Sequence, residues 1–266
     1  MNWHDWLKRA ESYEPLPPNK ILSLTLHTDR GSPAQQGGEW KIHLKNGLKK
    51  LREYEEAAGN GEESQVFASL AKQVEREIHQ ERRNLRKGIA LFASSDRRLF
   101  LMKHLDVSVH TAFHYDEQAV TQPLRDMLES YPLTGIVLVQ NERVRMIETQ
   151  MGTVRFSQEY GWDLEAEDWH PYEGPHQGEP VQHARTHTQK DQYQDRYEAV
   201  QTRWYKRLAP RLDQQAKKSG WKRTVITGEP GQVQELSHFM SCPVTKIDHK
   251  NLGNKKDHEV VEMVTL

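Results

Sequence analysis

The residue whose surroundings point most clearly to chemistry is a glutamine set between glycines in a proline-rich loop. The stretch Trp169-His170-Pro171-Tyr172-Glu173-Gly174-Pro175-His176-Gln177-Gly178-Glu179-Pro180 carries two glycines and three prolines. That composition excludes a helix or an interior strand, so the segment must project from or cross the surface. A carboxamide has no useful pKa and cannot act as a general base. It can orient a water molecule and, with its backbone N–H, face a developing oxyanion as a fixed donor. Gly174 and Gly178 allow positive φ and close approach of the backbone to a partner. Behind the loop the pattern predicts a long helix, from about Gln182 toward Lys218, that carries Arg185, Lys190, Arg196, Arg203, Lys206 and Arg207. Such a rail suits phosphates: its contacts position a partner without reading sequence, and they weaken as salt rises. A glutamine tip on a basic stem is suited to placing one side chain in a crowded RNA site.

Other reactive residue types are less well placed. His183 and His187 have the four-residue helical spacing of a metal pair, and His176 is close in sequence. The intervening residues are Ala184, Arg185 and Thr186, so the acid of a His-Glu-x-x-His site is missing, and the arginine repels a cation. His176 and His183 read better as partial positive charge or hydrogen-bonding groups beside RNA. Cys242, the only cysteine, can form no internal disulfide and reads as a small semi-buried filler. There is no Gly-x-Ser-x-Gly elbow. Gly37-Gly38 after Gln35-Gln36 is a reversed decoy, and Gly231-Gln232-Val233-Gln234 repeats the Gly-x-x-Gln spacing at a predicted helix start.

The balance of charge supports a local, not a global, interaction. The chain has 266 residues, 28% of them charged, a net charge of −1 and a mean hydropathy of −0.89. A neutral chain does not coat nucleic acid indiscriminately, so any such contact needs a patch. From Met151 to Glu173 one basic residue, Arg155, faces six acids; from Gly174 to Arg223 eleven Lys or Arg face five acids. The positive charge is concentrated on the element behind the loop. No apolar run approaches the length of a membrane span and the N-terminus lacks a basic-then-apolar leader, so a soluble cytoplasmic protein with no membrane partner is expected.

The elements that must position the loop follow from periodicity. Two α/β domains are expected, residues 1–122 and 123–266, with the seam between His114 and Pro132. In the first, a short helix precedes Pro15-Leu16-Pro17-Pro18, followed by a strand at Ile21–His27 and a helix at about Glu39–Ala58. A second helix is expected at Ser64–Lys87, with Ser64 as N-cap and Gly88 as its stop. Strands are expected at 89–93, 97–102 and 107–113. The second domain opens with a helix at Pro123–Ser130 and a strand at Gly135–Gln140. Asn141-Glu142 makes the turn into Arg143–Glu148, which alternates outward charge with inward apolar residues. A strand at Thr153–Phe156, the loop at 170–182 and the helix at 183–218 follow. Last come a strand at 223–227, a helix at 231–240 and two strands near Val244 and Val260. On the long helix, Tyr193, Tyr197, Val200, Trp204 and Leu208 form a packing stripe.

This order resembles the central domain of archaeo-eukaryotic peptide release factors, in which a strand hairpin leads into a Gly-Gly-Gln loop and a long basic helix. It is most similar to the divergent Vms-like bacterial branch, where the motif relaxes to Gly-x-x-Gln. Gly174-Pro175-His176-Gln177 fits, and His183-Ala184-Arg185 falls where the family has an aromatic-Ala-Arg segment. The resemblance covers residues 133–266 well and residues 20–130 more weakly. It implies an RNase H-like mixed sheet flanked by helices, with Gln177 at the catalytic position and Gly174 and Gly178 shaping the loop. It further implies the ribosome (large subunit and rRNA) and peptidyl-tRNA as partners, with neither cofactor nor metal. No stop-codon reading motif is found and no third domain has room after residue 266. The implied activity is therefore codon-independent hydrolysis of peptidyl-tRNA on stalled ribosomes or large subunits. A non-catalytic factor that occupies and protects the ribosomal A site is the alternative.

Overall fold

The computed structural model describes residues 1–33, 37–58, 61–162, 169–171 and 187–265, and for 61–62, 169–171 and 187–196 it describes the backbone alone. The chain forms two compact units, Met1–Ser130 and Tyr131–Leu266.

In the first unit, helix α1 (Trp3–Glu11) begins at Asn2, whose Oδ1 accepts from the Asp5 amide at 2.7 Å. Strand β1 (Ile21–His27) is followed by the antiparallel-packed pair α2 (Glu39–Ala57) and α3 (Gly61–Gln80). Strands β2 (Gly88–Ser94), β3 (Phe100–Leu105) and β4 (Ala112–Asp116) complete an antiparallel sheet of order β3-β2-β1-β4. Leu22, Leu24 and Leu26 of β1 share one face, as the two-residue period requires, and pack with Trp40, Leu44, Phe67 and Leu70 of the helices. Phe92 points the other way and meets Trp6 of α1, ring centroids 5.0 Å apart. The next helix, α4 (Gln122–Ser130), is tied to α1 by a bidentate pair of Arg125 with Glu11, at 2.8 and 2.6 Å.

Three expectations for this unit need correction. Ser64 is not an N-cap: α3 starts earlier, at Gly61, and Ser64 lies buried within it, its hydroxyl 3.4 Å from Glu56. Gly88 does not stop a helix, because α3 gives way to a 3-10 turn at Glu81–Arg83 and Gly88 opens β2. A Cβ there would lie 2.7 Å from Val109 Cγ1, which explains the glycine by packing and not by capping. The last strand begins at Ala112; Val107 and Val109 are buried connection, apolar without being strand.

The second unit is built on β5 (Thr134–Val139), all of whose residues are buried. It pairs antiparallel with β6 (Arg143–Gln150), which pairs with β7 (Thr153–Trp162), which in turn pairs with the short β8 (Trp169–Pro171). On its other side β5 runs parallel to β9 (Arg223–Gly228), and β9 runs parallel to β10 (Lys246–Asp248). The order β10-β9-β5-β6-β7-β8 makes a mixed sheet covered on both faces. Val137, Val139, Val144, Met146 and Ile226 face the long helix α5 (His187–Ser219) and α6 (Pro230–Phe239). Ile136, Leu138, Ile147 and Val225 face α7 (Asp257–Thr265). Val260 therefore belongs to a helix, not to the expected final strand; its neighbours Val261 and Val264 are buried with it at helical spacing.

Glu148 also departs from expectation. The two-residue period puts it on the same side as Val144 and Met146, and it is buried. Its carboxylate is satisfied there by Gln215 of α5 at 2.8 Å and by the Trp221 indole at 2.9 Å. The turn from β6 to β7 is made by Met151 and Gly152, both at positive φ (53° and 74°), the backbone of a tight hairpin. Trp221 also explains Gly135, since a Cβ at that position would overlap its ring. Gly135→Ala is expected to destabilise the protein by about 1–3 kcal/mol through overpacking. Equilibrium urea unfolding measures this, and an unchanged midpoint would contradict the packing described.

Candidate functional site

Side chains from β7 and α5 converge on one backbone carbonyl. The turn joining β5 to β6 is closed by Gln140 and Arg143, whose amides each donate to the other's carbonyl at 2.8 and 3.4 Å. Asn141, at its corner, is left with an outward carbonyl. Three side chains donate to it: Trp162 Nε1 at 3.1 Å, the Tyr197 hydroxyl at 3.2 Å and Gln201 Nε2 at 3.1 Å. The Asn141 side-chain oxygen accepts from Gln232 Nε2 of α6. Trp162 ends β7, and Tyr197 and Gln201 lie one turn apart on α5. Rings reinforce the junction, with Trp162 and Tyr197 centroids 5.2 Å apart and Trp162 stacked on Trp204 at 6.0 Å. The end of β7 and the middle of α5 are thus fastened to one point at the end of the central strand.

Gly174, His176, Gln177, Gly178, His183 and Arg185 lie outside the described residues, as does the expected start of the helix. Lys190 and Arg196 fall on the described backbone of α5, and their side chains lie outside the description, as does that of Tyr193. Arg203, Lys206 and Arg207 are exposed on α5. Among the described residues no carboxylate pairs with Arg203 or Arg207, whereas Lys206 Nζ sits 5.3 Å from the centroid of the Phe239 ring. Arg203 and Arg207 are one turn apart and project together. Trp204 and Leu208 of the expected stripe are buried; Tyr197 and Val200 are half-buried. The buried face also takes in Tyr205, Ala209 and Leu212, so it is wider than the stripe. Burial raises the Tyr205 phenol well above its ordinary range.

Sequence reasoning missed the roles of Asn141, Trp162, Gln201 and Gln232. Gln232 belongs to the second Gly-x-x-Gln and acts as a strut between α6 and the Asn141 turn. A cleft of about 970 Å³ opens beside it, outside the ends of β5 and β9, lined by Gln140, Arg143, Arg145, Gly228, Gln232 and Lys256 among others. Its cations are largely compensated: Arg143 pairs with Glu159 at 3.3 Å and Arg145 with Asp257 at 3.2 Å. Gly228, at φ 147°, is required there because a Cβ would overlap the Val139 carbonyl. Among the described residues no group of three or more His, Cys, Asp or Glu could hold a metal ion.

The described part of this unit is a mixed sheet with a β6–β7 hairpin ahead of a long helix in sequence. Residues 132–266 match the model of the bacterial archaeo-eukaryotic release factor family 5, and the chain belongs to that family. It is 34% identical over 247 residues, 92% of each chain, to the uncharacterized protein YocB of Bacillus subtilis (strain 168). Among solved structures it is similar to an archaeal translation termination factor, aRF1. That match covers 98% of this chain and 72% of the other, at 12% identity and a TM-score of 0.33. Among the described residues no helix is long and apolar enough to cross a membrane.

Cys242 is a half-buried free thiol that favours its protonated form. Burial, helped by the adjacent Asp213 carboxylate, pushes its thiol up to about 11. Asp213 itself accepts from the Ser241 and Cys242 amides at 2.8 and 2.9 Å. The folded thiol therefore holds its proton between the ordinary thiol value of 9.0 and about 11. It stabilises the fold below that window and loses the contribution as pH rises through it. Iodoacetamide labelling of native protein at pH 8 is expected to be slow relative to a free thiol and to accelerate toward pH 11. Rapid labelling at pH 8 would refute this environment.

Proposed function

We propose that this protein hydrolyses peptidyl-tRNA independently of a codon, freeing nascent chains from stalled ribosomes or separated large subunits in the cytoplasm. The observation that carries the reading is the joining of the end of β7 to α5 at Asn141, on either side in sequence of Gly174-Pro175-His176-Gln177 and within the half of the chain that matches the release factor family. Water attacks the ester carbonyl carbon, the bond to the tRNA ribose oxygen breaks, and that oxygen leaves with a proton. Gln177 orients the water and offers a donor to the oxyanion; it accepts no proton, because an amide has no accessible basic pKa. The proton must move through the ribose hydroxyls and the ribosome. Gly174 and Gly178 let the loop backbone approach RNA. Arg185, Lys190, Arg196, Arg203, Lys206 and Arg207, with His176 and His183, supply phosphate contacts on rRNA or the acceptor stem.

Release of labelled peptide from purified peptidyl-tRNA–large-subunit complexes tests the chemistry. Gln177→Ala is expected to abolish release with ribosome binding intact. If wild type releases nothing while binding is retained, the protein is instead an A-site protection factor, the reading favoured by Pro175-His176 standing between Gly174 and Gln177. Binding has its own test. The double substitution Arg203→Glu/Arg207→Glu is expected to weaken ribosome association and make its logarithmic salt dependence shallower by about one unit per lost phosphate contact. An unchanged salt slope would remove these two residues from the interface.

A further inference from the structure

We infer that the Asn141 carbonyl is a positioning clamp that fixes α5 against the end of β7, acting through Trp162, Tyr197 and Gln201. The inference deepens the proposed hydrolase and rests on that reading. The carbonyl has two lone pairs but takes three side-chain donors at 3.1–3.2 Å, each slightly longer than an unshared bond. The donors come from opposite sides of the same excursion, Trp162 where β7 ends and Tyr197 and Gln201 on α5. Among the described residues, strand β8, which precedes Gln177 in sequence, is paired along β7 at Tyr160, Gly161 and Trp162. Its placement therefore depends on where Trp162 is held. Gln232 fixes the turn from behind through the Asn141 side chain.

Apolar packing alone would suffice to keep α5 on the sheet. Trp204, Tyr205, Leu208 and Leu212 already bury that face. Packing, however, is tolerant of small slides along the helix axis, whereas three donors aimed at one oxygen fix the axial position of the helix relative to the hairpin. Gln201 is buried with only 6% exposure, and its amide is committed to this bond and not to solvent. A bulky aliphatic residue would pack equally well there, so the amide is explained by direction more than by burial.

The test removes donors while keeping bulk, in the full chain. Tyr197→Phe/Gln201→Met is compared with wild type and with Gly135→Ala, which weakens the core away from the clamp. Release at saturating protein is expected to fall at least about tenfold in the double variant, since displacement of a positioned group by an ångström costs rate steeply. Half-saturation by the ribosomal complex should stay within about twofold, as the exposed cations that bind it are untouched. Gly135→Ala should retain its release rate at temperatures where it remains folded. Adding Trp162→Phe should increase the loss. Equal losses in the double variant and Gly135→Ala, or a loss confined to half-saturation, would overturn the clamp. Hydrogen exchange reads the clamp without turnover: amides of β8 and of the α5 turns before Tyr197 should exchange at least about tenfold faster in the double variant, and not in Gly135→Ala. If wild type releases no peptide, the hydrolase reading fails, while unchanged exchange overturns the clamp itself.

Discussion

The constraint on which the second unit depends is that β5 is buried on both faces. Ile136 and Leu138 must be covered from one side, Val137 and Val139 from the other. No single helix can do this, so the chain places α5 and α6 on one face and α7 on the opposite face. The connections then fan out beyond the ends of the parallel strands, which is where an open α/β sheet forms its crevices. The β5–β6 turn emerges at that edge, and Asn141 is its corner. A carbonyl there has no partner within the hairpin and must find one elsewhere, because an unmet acceptor beside buried rings costs free energy. The side chains that answer it are those that flank the loop.

Polar groups within this core are placed as sparingly. Glu148 is a carboxylate on the buried side of β6, tolerable because Gln215 and Trp221 both donate to it. The same Trp221 requires Gly135 beneath it. The end of α5 and the start of β9 are thereby fastened to the middle of the sheet, far along the helix from the Asn141 junction. Each net hydrogen bond of this kind stabilises by about 1 kcal/mol, small beside the apolar burial of the face. The donors on Asn141 set the axial position of α5; the apolar contacts set its affinity for the sheet.

Much of this was legible in the sequence, for identifiable reasons. Strands such as Ile21–His27 and Thr134–Val139 are short apolar runs bounded by turn residues, and the stripe through Trp204 and Leu208 has a helical period. Errors fell where two structures share one pattern. Val260, Val261 and Val264 have β-branched side chains but helical spacing, and the short segment did not reveal which would win. Ser64 and Gly88 have capping chemistry but were needed for packing instead. Glu148 reads as outward from its charge, although its parity places it inward. The Asn141 junction was not legible because it joins residues 56 and 60 positions apart through a main-chain oxygen, and no side-chain motif records an acceptor that every residue possesses. Gln201 and Gln232 look like ordinary helix-surface glutamines until the fold brings them together.

The proposed chemistry explains why a junction of this kind is useful. A histidine or carboxylate base contributes through its proton affinity, and modest errors of placement are partly offset by that driving force. A glutamine contributes only geometry. Its amide must meet the water and the developing oxyanion at hydrogen-bonding distance in a site the protein does not itself enclose, so the loop must be delivered by a stem with little axial freedom. The cations on α5 cannot supply that accuracy, because phosphate contacts hold a partner within a broad, screened well. In the proposed function the task divides: exposed Arg203 and Arg207 serve association with the ribosome, and the junction at Asn141 serves the placement of α5 against the hairpin.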